Sequence, residues 1–186
     1  MNKFANVCLV GLLSLSLTAC GGSDKPAGTS DIKSAEEILT TVWDSYEEDD
    51  KFFAMGGSYN EPTENAPGSI EASDVESLSA LLSVPEQDAA LLDDAASLVH
   101  SMNANTFTAG AYHVANADDT NTFTKDMEDA LKNKQWMCGM PEVIKIYKIT
   151  DSYVVSLLGV EDIVDDFEDK LEEKYPSAEA VADVNM

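Results

Sequence analysis

The residues of this chain best suited to metal binding or nucleophilic chemistry are two histidines, His100 and His113, and one cysteine, Cys138. With Met102 they offer imidazole, thiolate and thioether, a donor set that suits copper or zinc. No pair of them shows a spacing typical of metal sites, and half-buried strand histidines with a core methionine account for the same residues. If residues 97–102 pair with residues 106–115, the two imidazoles come near each other across a hairpin. Cys138 lies in Trp136-Met137-Cys138-Gly139-Met140-Pro141 and acts as a nucleophile only with a histidine held beside it. The same stretch reads as a helix-to-strand connection in which Trp136, Met137 and Cys138 fill the core and Gly139 permits the turn. Catalysis has no firmer foothold. The chain lacks a phosphate-binding glycine loop and a nucleophile elbow, so no catalytic residue and no cofactor is assigned.

The formal charge of −24 bears on partners. Such a chain repels phosphate backbones and anionic headgroups, which argues against nucleic acid and against reading a membrane surface electrostatically. The acids suit a cation or a basic partner; they also suit a solvated, non-adhesive face. The oxygen-rich Asn116-Ala117-Asp118-Asp119-Thr120-Asn121 lacks the sixth-position glycine and twelfth-position glutamate of a calcium loop. Asp118 and Thr120 read instead as caps of the helix that follows.

The elements that would position these residues can be read from periodicity. Ser34-Ala35-Glu36-Glu37 is a capping box opening a helix whose apolar residues are Ala35, Ile38, Leu39, Val42, Trp43 and Tyr46. Ser58 to Ser69 carries turn residues and reads as an exposed loop beginning at Gly56-Gly57, with Phe52, Phe53, Met55 and Tyr59 beside it. Gly56, Gly57 and Tyr59 mark it as a candidate binding loop, since small domains often place binding residues on irregular segments. A second box, Ser73-Asp74-Val75-Glu76, opens a short helix to about Leu82. From Thr106 the pattern is strand, helix (Asp118 to Lys134), strand (Glu142 to Ile149), turn at Asp151-Ser152, strand (Tyr153 to Leu158), then a helix carrying Ile163, Val164, Phe167 and Leu171 inward and ending at Pro176. This order predicts an α+β class: a small sheet containing antiparallel strands, with the helices of the C-terminal unit on one face and the N-terminal helices added.

The N-terminal segment has its own signature. A short start with Lys3, an apolar run from Phe4 to Leu17 and small residues after it read as an export signal too short to span a bilayer comfortably. It ends in Leu17-Thr18-Ala19-Cys20, which resembles the lipobox of bacterial lipoproteins. That resemblance implies cleavage between Ala19 and Cys20 and lipidation of Cys20, whose acyl chains would anchor the mature chain stably to a membrane. By the same resemblance Gly21, in place of Asp, favours the outer membrane of a two-membrane cell; in a one-membrane cell the anchor holds the chain on the outer face. With Cys8 removed and Cys20 lipidated, only Cys138 remains as a free thiol and no intrachain disulfide forms.

Residues 95 to 175 also resemble uncharacterised lipoproteins carrying domain of unknown function 4358. The likeness lies in the strand Phe107 to Val114, the helix after it, the Trp136-Met137-Cys138-Gly139 turn, and Tyr153-Val154-Val155 leading to Gly159. That family has no established activity, so it implies localisation and fold and no site residues.

The expected organisation is therefore a signal peptide over 1–19, a flexible tether over 20–33, one α+β domain over 34–176 and a disordered tail over 177–186. The expected function is a non-catalytic binding or interaction module on the cell envelope, anchored through Cys20, with an envelope protein as a candidate partner. The competing readings are a metal-handling protein or enzyme using His100, His113 and Cys138, and a subunit of an envelope complex. Replacing Cys20→Ala is expected to abolish incorporation of labelled palmitate in growing cells and to move the chain out of the membrane fraction; palmitate uptake undiminished in this variant would rule out the lipobox reading.

Overall fold

The structure, a computed structural model, describes residues 32–102, 106–137 and 139–186. The proposed signal peptide, Cys20, most of the tether and Cys138 lie outside these residues. Among the described residues no helix is long and apolar enough to cross a membrane.

Eight strands and four α-helices follow in the order α1 (Ala35–Trp43), β1 (Ala54–Gly57), β2 (Pro62–Glu64), β3 (Gly68–Ile70), α2 (Val75–Leu82), β4 (Leu92–His100), β5 (Phe107–Val114), α3 (Thr120–Asn133), β6 (Val143–Lys148), β7 (Tyr153–Gly159), α4 (Glu161–Lys174) and β8 (Glu179–Asn185). All pairings are antiparallel, in the order β2-β1-β4-β5-β7-β6-β8, with β3 also on β4. The fold class is α+β, with a larger sheet than expected. β4 and β5 pair antiparallel with Ala96 opposite Ala111, and β7 lies inside the sheet.

The helices do not share one face. α1 and α4 pack on one side against Leu98, Phe107, Ala109, Tyr147, Val155 and Leu157; α2 and α3 pack on the other against Ala95, Tyr112, Ile144, Ile146, Val154 and Leu158. The reason lies in chain direction. β5 and β6 run the same way with β7 between them, and β7 and β8 run the opposite way with β6 between them. Both crossovers, through α3 and through α4, step toward the same edge. Crossovers of one hand taken from oppositely directed strands place their helices on opposite faces, as the near-universal right-handed rule requires. Residues of both parities along β5 and β7 are therefore buried, which is why neither strand alternates polar with apolar.

Several boundaries differ from expectation. Residues 177–186, expected as a disordered tail, form edge strand β8 because Ile144 and Ile146 of β6 need a neighbour over which Ala182 and Val184 can pack. The segment expected as a loop contains β1, β2 and β3. Its glycines are structural: β1 and β3 lie end to end along one edge of β4, on 98–100 and 95–97 respectively, and meet at Gly56, Gly57 and Gly68. A β-carbon on Gly56 would stand 2.3 Å from the Gly68 nitrogen and 2.4 Å from the Ala66 oxygen. The cap of α2 is Asp74 rather than Ser73, and Asn116, not Asp118 or Thr120, caps the short turn that leads into α3. Thr120 instead donates its hydroxyl to the Asp151 carbonyl at 2.7 Å, fastening α3 to the β6–β7 turn.

One row across the α2/α3 face is made of small residues, Gly68, Ser97, Gly110 and Ser156 in register. The Tyr112 ring lies along its strand over Gly110, where a β-carbon would be 2.2 Å from the phenol oxygen. Its hydroxyl meets Ser156 Oγ at 2.9 Å, which satisfies a wholly buried phenol. Burial pushes the Tyr112 pKa above its ordinary value, so the ring stays neutral.

Gly56→Ala is expected to destabilise the fold by at least about 2 kcal/mol, since the added methyl meets backbone that cannot swing aside. Urea unfolding measures this; an unchanged midpoint would show that the β1–β3 junction is not tightly closed.

Candidate functional site

The structure separates the residues that sequence analysis considered together. His113 pairs with Asp94 across the β4–β5 ladder, whereas His100 lies at the far end of β4. Six residue steps of extended strand from Asp94 to His100 put roughly 20 Å between the two imidazoles. They share no site, contrary to the proximity expected from the hairpin, because a hairpin brings together only residues equidistant from its turn. Among the described residues no group of three or more His, Cys, Asp or Glu side chains is poised to hold a metal.

The His100 ring is buried on the α1/α4 face, stacked on Phe52 at 4.7 Å with the planes 10° apart. Its Nδ1 accepts the Met102 backbone N–H at 3.0 Å, so the ring proton belongs on Nε2. Desolvation lowers its pKa below the ordinary 6.5.

His113 borders an open, polar cleft of about 540 Å³ with Asp93, Asp94, Glu71, Ser69 and Tyr153. Its Nδ1 meets Asp93 Oδ1 at 2.5 Å, and the Tyr153 ring lies 4.5 Å away. Asp94 is occupied elsewhere, its Oδ2 accepting the Ala35 N–H at 2.6 Å and so anchoring the first turn of α1 to the bulge in β4. Burial, then the charges of Asp94, Asp93 and Glu37, raise the Tyr153 pKa. An Asp–His pair can orient an imidazole for proton transfer, but among the described residues no serine, threonine or tyrosine hydroxyl is hydrogen-bonded to the His113 ring.

A different arrangement occupies the α2/α3 face at the end of the sheet nearest the β4–β5 turn. Met55, Val99 and Thr108 stand side by side on β1, β4 and β5 and form a floor. Ala80 and Leu81 of α2 form one wall, and Lys134, Trp136 and Gly139 after α3 form another. Two lobes, of about 390 and 250 Å³, share Tyr59, Leu81, Val99 and His100. The larger lobe falls in the size range of small-molecule sites. The smaller one runs over Met55, Gly57, Pro62 and Ser97 and is mostly apolar. His100 contributes from the strand backbone, its ring being turned to the opposite face.

The walls are held by a chain of hydrogen bonds. Asp74 accepts the Ser77 N–H at 3.0 Å and the Ser77 hydroxyl at 2.7 Å, and Ser77 Oγ accepts the Tyr59 N–H at 3.3 Å. The cap of α2 thus also fixes Tyr59 at the junction of the lobes, and these bonds lower the Asp74 pKa. At the other end of α2, Ser83 ends the helix in the left-handed region, and its Oγ accepts from Lys134 Nζ at 2.6 Å. Lys134 Nζ also stands 4.6 Å over the Trp136 ring.

Of the candidate loop residues, Gly56 and Gly57 are buried in β1 and line the smaller lobe through their backbone, while Tyr59 is exposed at its rim. Trp136 and Met137, expected as core plugs, are instead half-buried at the groove wall and 97% exposed respectively. Sequence reading missed Lys134. The signal available was a lysine two residues before an aromatic at a helix end in a chain whose eleven basic residues are all lysine.

A scan of family models and searches of curated proteins and of solved structures found no match to this chain.

The buried His100 sets a pH dependence. Its folded pKa is below its unfolded value of 6.5, so its full contribution to stability is present above pH 6.5 and is lost as pH falls from there through the folded pKa. Melting curves as a function of pH should show wild type losing stability relative to His100→Gln below pH 6.5. Parallel curves for the two proteins would mean the ring is not buried in its neutral form.

Proposed function

We propose that the chain is a non-catalytic binding module, exported and anchored through Cys20, that takes an apolar ligand in the groove between α2 and the Lys134–Trp136 segment. The carrying observation is the groove itself: two adjoining lobes floored by Met55, Val99 and Thr108, open at Tyr59 and walled by Leu81 and Trp136. Exposed apolar side chains surround this opening. Met102 lines the larger lobe, and Met137 and Met140 flank Gly139 with their side chains largely in water. Flexible thioethers on a rim adapt to ligand shape at little cost, a use to which binding surfaces commonly put methionine. Small residues in the neighbouring row, Ser97 and Gly110, keep the floor low, and Tyr112 closes it from behind. A tether from a membrane would hold such a groove within reach of ligands in the envelope.

The reading is tested with an uncharged naphthylamine fluorophore that brightens in apolar surroundings. Saturable binding to the mature chain is expected, and Leu81→Arg, which places a charge in the wall of both lobes, should weaken it by about tenfold or more. Tyr59→Ala should weaken it less. Binding that survives Leu81→Arg undiminished, in a protein that melts as wild type does, would place the ligand elsewhere and overturn the assignment.

A further inference from the structure

Lys134 combines desolvation with the lack of a carboxylate partner among the described residues. Among the described residues Lys51, Lys125, Lys132, Lys145, Lys170 and Lys174 each meet a carboxylate within ion-pair distance. Lys134 meets none among the described residues; nor do Lys33 and Lys148, but Lys33 is exposed and Lys148 Nζ donates to Asn121 Oδ1. Its ammonium is half-buried between the Ser83 hydroxyl and the face of Trp136, and desolvation lowers its pKa. Beside it, Trp136 Nε1 is shut off from solvent and has no acceptor among the described residues. A half-desolvated cation without a counter-charge and an indole donor without an acceptor are both costly in isolation. They adjoin the larger lobe, whose lining also includes Leu81, Val99, Thr108 and Tyr59.

We infer that the occupant of this groove is a single-chain amphipath with a carboxylate head, the class to which medium-chain fatty acids belong. The head sits against Lys134, and the hydrocarbon tail runs through the shared Tyr59–Leu81–Val99 section into the apolar lobe over Met55 and Pro62. This rests on the groove being a binding site and adds which end of the ligand lies where. A carboxylate supplies the missing counter-charge at Lys134. The rest of the protein surface repels anions, so attraction to this one position has to come from Lys134 at short range. The three hydrogen bonds linking Asp74, Ser77 and Tyr59 hold the opposite wall, leaving the opening at Tyr59 for entry.

The test uses the mature chain, residues 20 to 186 with Cys20→Ala, titrated with dodecanoate and with dodecanol, both below the concentrations at which they aggregate. Binding is read by displacement of the naphthylamine fluorophore and by calorimetry. Dodecanoate is expected to bind about tenfold more tightly than dodecanol, the factor that a charge-assisted contact supplies. Lys134→Met should remove the preference, bringing the two affinities to within about twofold of each other, and Lys134→Arg should keep it. If Lys134→Met does not fold, the wild-type ratio and the Lys134→Arg ratio still decide. Equal affinities for the two ligands in wild type would overturn the carboxylate assignment and leave the groove as an apolar site. Failure of either ligand to displace the fluorophore would overturn the amphipath as occupant, and failure of the fluorophore itself to bind would overturn the groove.

Discussion

The fold depends on one constraint: β5 and β7 are buried on both faces, so the sheet is stable only when helices cover it twice. Phe107, Ala109 and Ala111 point to one side of β5 while Tyr112 and Val114 point to the other, and Val155 and Leu157 oppose Val154 and Leu158 on β7. Leaving either set in water would forfeit about 1.5–3 kcal/mol for each large side chain. The two interleaved crossovers meet this demand in one stroke, since their opposite strand directions send α3 and α4 to opposite sides.

The two faces are finished differently, and the difference produces the groove. On the α1/α4 face a run of aromatic contacts, Trp43 with Tyr46 and Phe52, Phe52 with Phe107, and Phe107 with Phe167, closes the layer from helix to strand. Lys145 is gathered in there too: burial alone would lower its pKa, but Asp165 and Glu168 of α4 outweigh that and raise it. On the α2/α3 face α2 is only two turns long and α3 ends at Asn133, so neither reaches the end of the sheet at Val99 and Thr108. At that end Lys134, Trp136 and Gly139 wall the floor without filling it.

The groove and the histidine cleft illustrate how a site is judged. The cleft around His113 has the residue types that catalysis uses, yet its nearest acids are engaged with the imidazole and with the start of α1. The groove has no hydrogen-bonded acid–histidine pair among the described residues, but it has space, apolar walls and a cation without a counter-charge. Volume and unmet electrostatics are properties of packing, and they identify the better candidate here.

Much of the architecture was legible in the sequence because it is local. The helices at Ile38–Val42, Phe123–Leu131 and Val164–Leu171 announce themselves by 3.6-residue spacing, and Asp151-Ser152 marks its turn by composition. Other features depend on partners distant in the chain. β8 is a polar-looking tail until Ile144 and Ile146 need a neighbour, and Gly56 and Gly68 read as loop glycines until β1 and β3 meet on β4. The division of helices between two faces follows from strand direction and order, which no window of residues contains. The sequence by itself determined the class, most of the elements and the motif at Cys20, since these rest on spacing of a few residues. Only the tertiary structure decided that His100 and His113 stand apart, that Trp136 walls a groove and that Lys134 lacks a carboxylate, because distance and desolvation arise when remote segments pack.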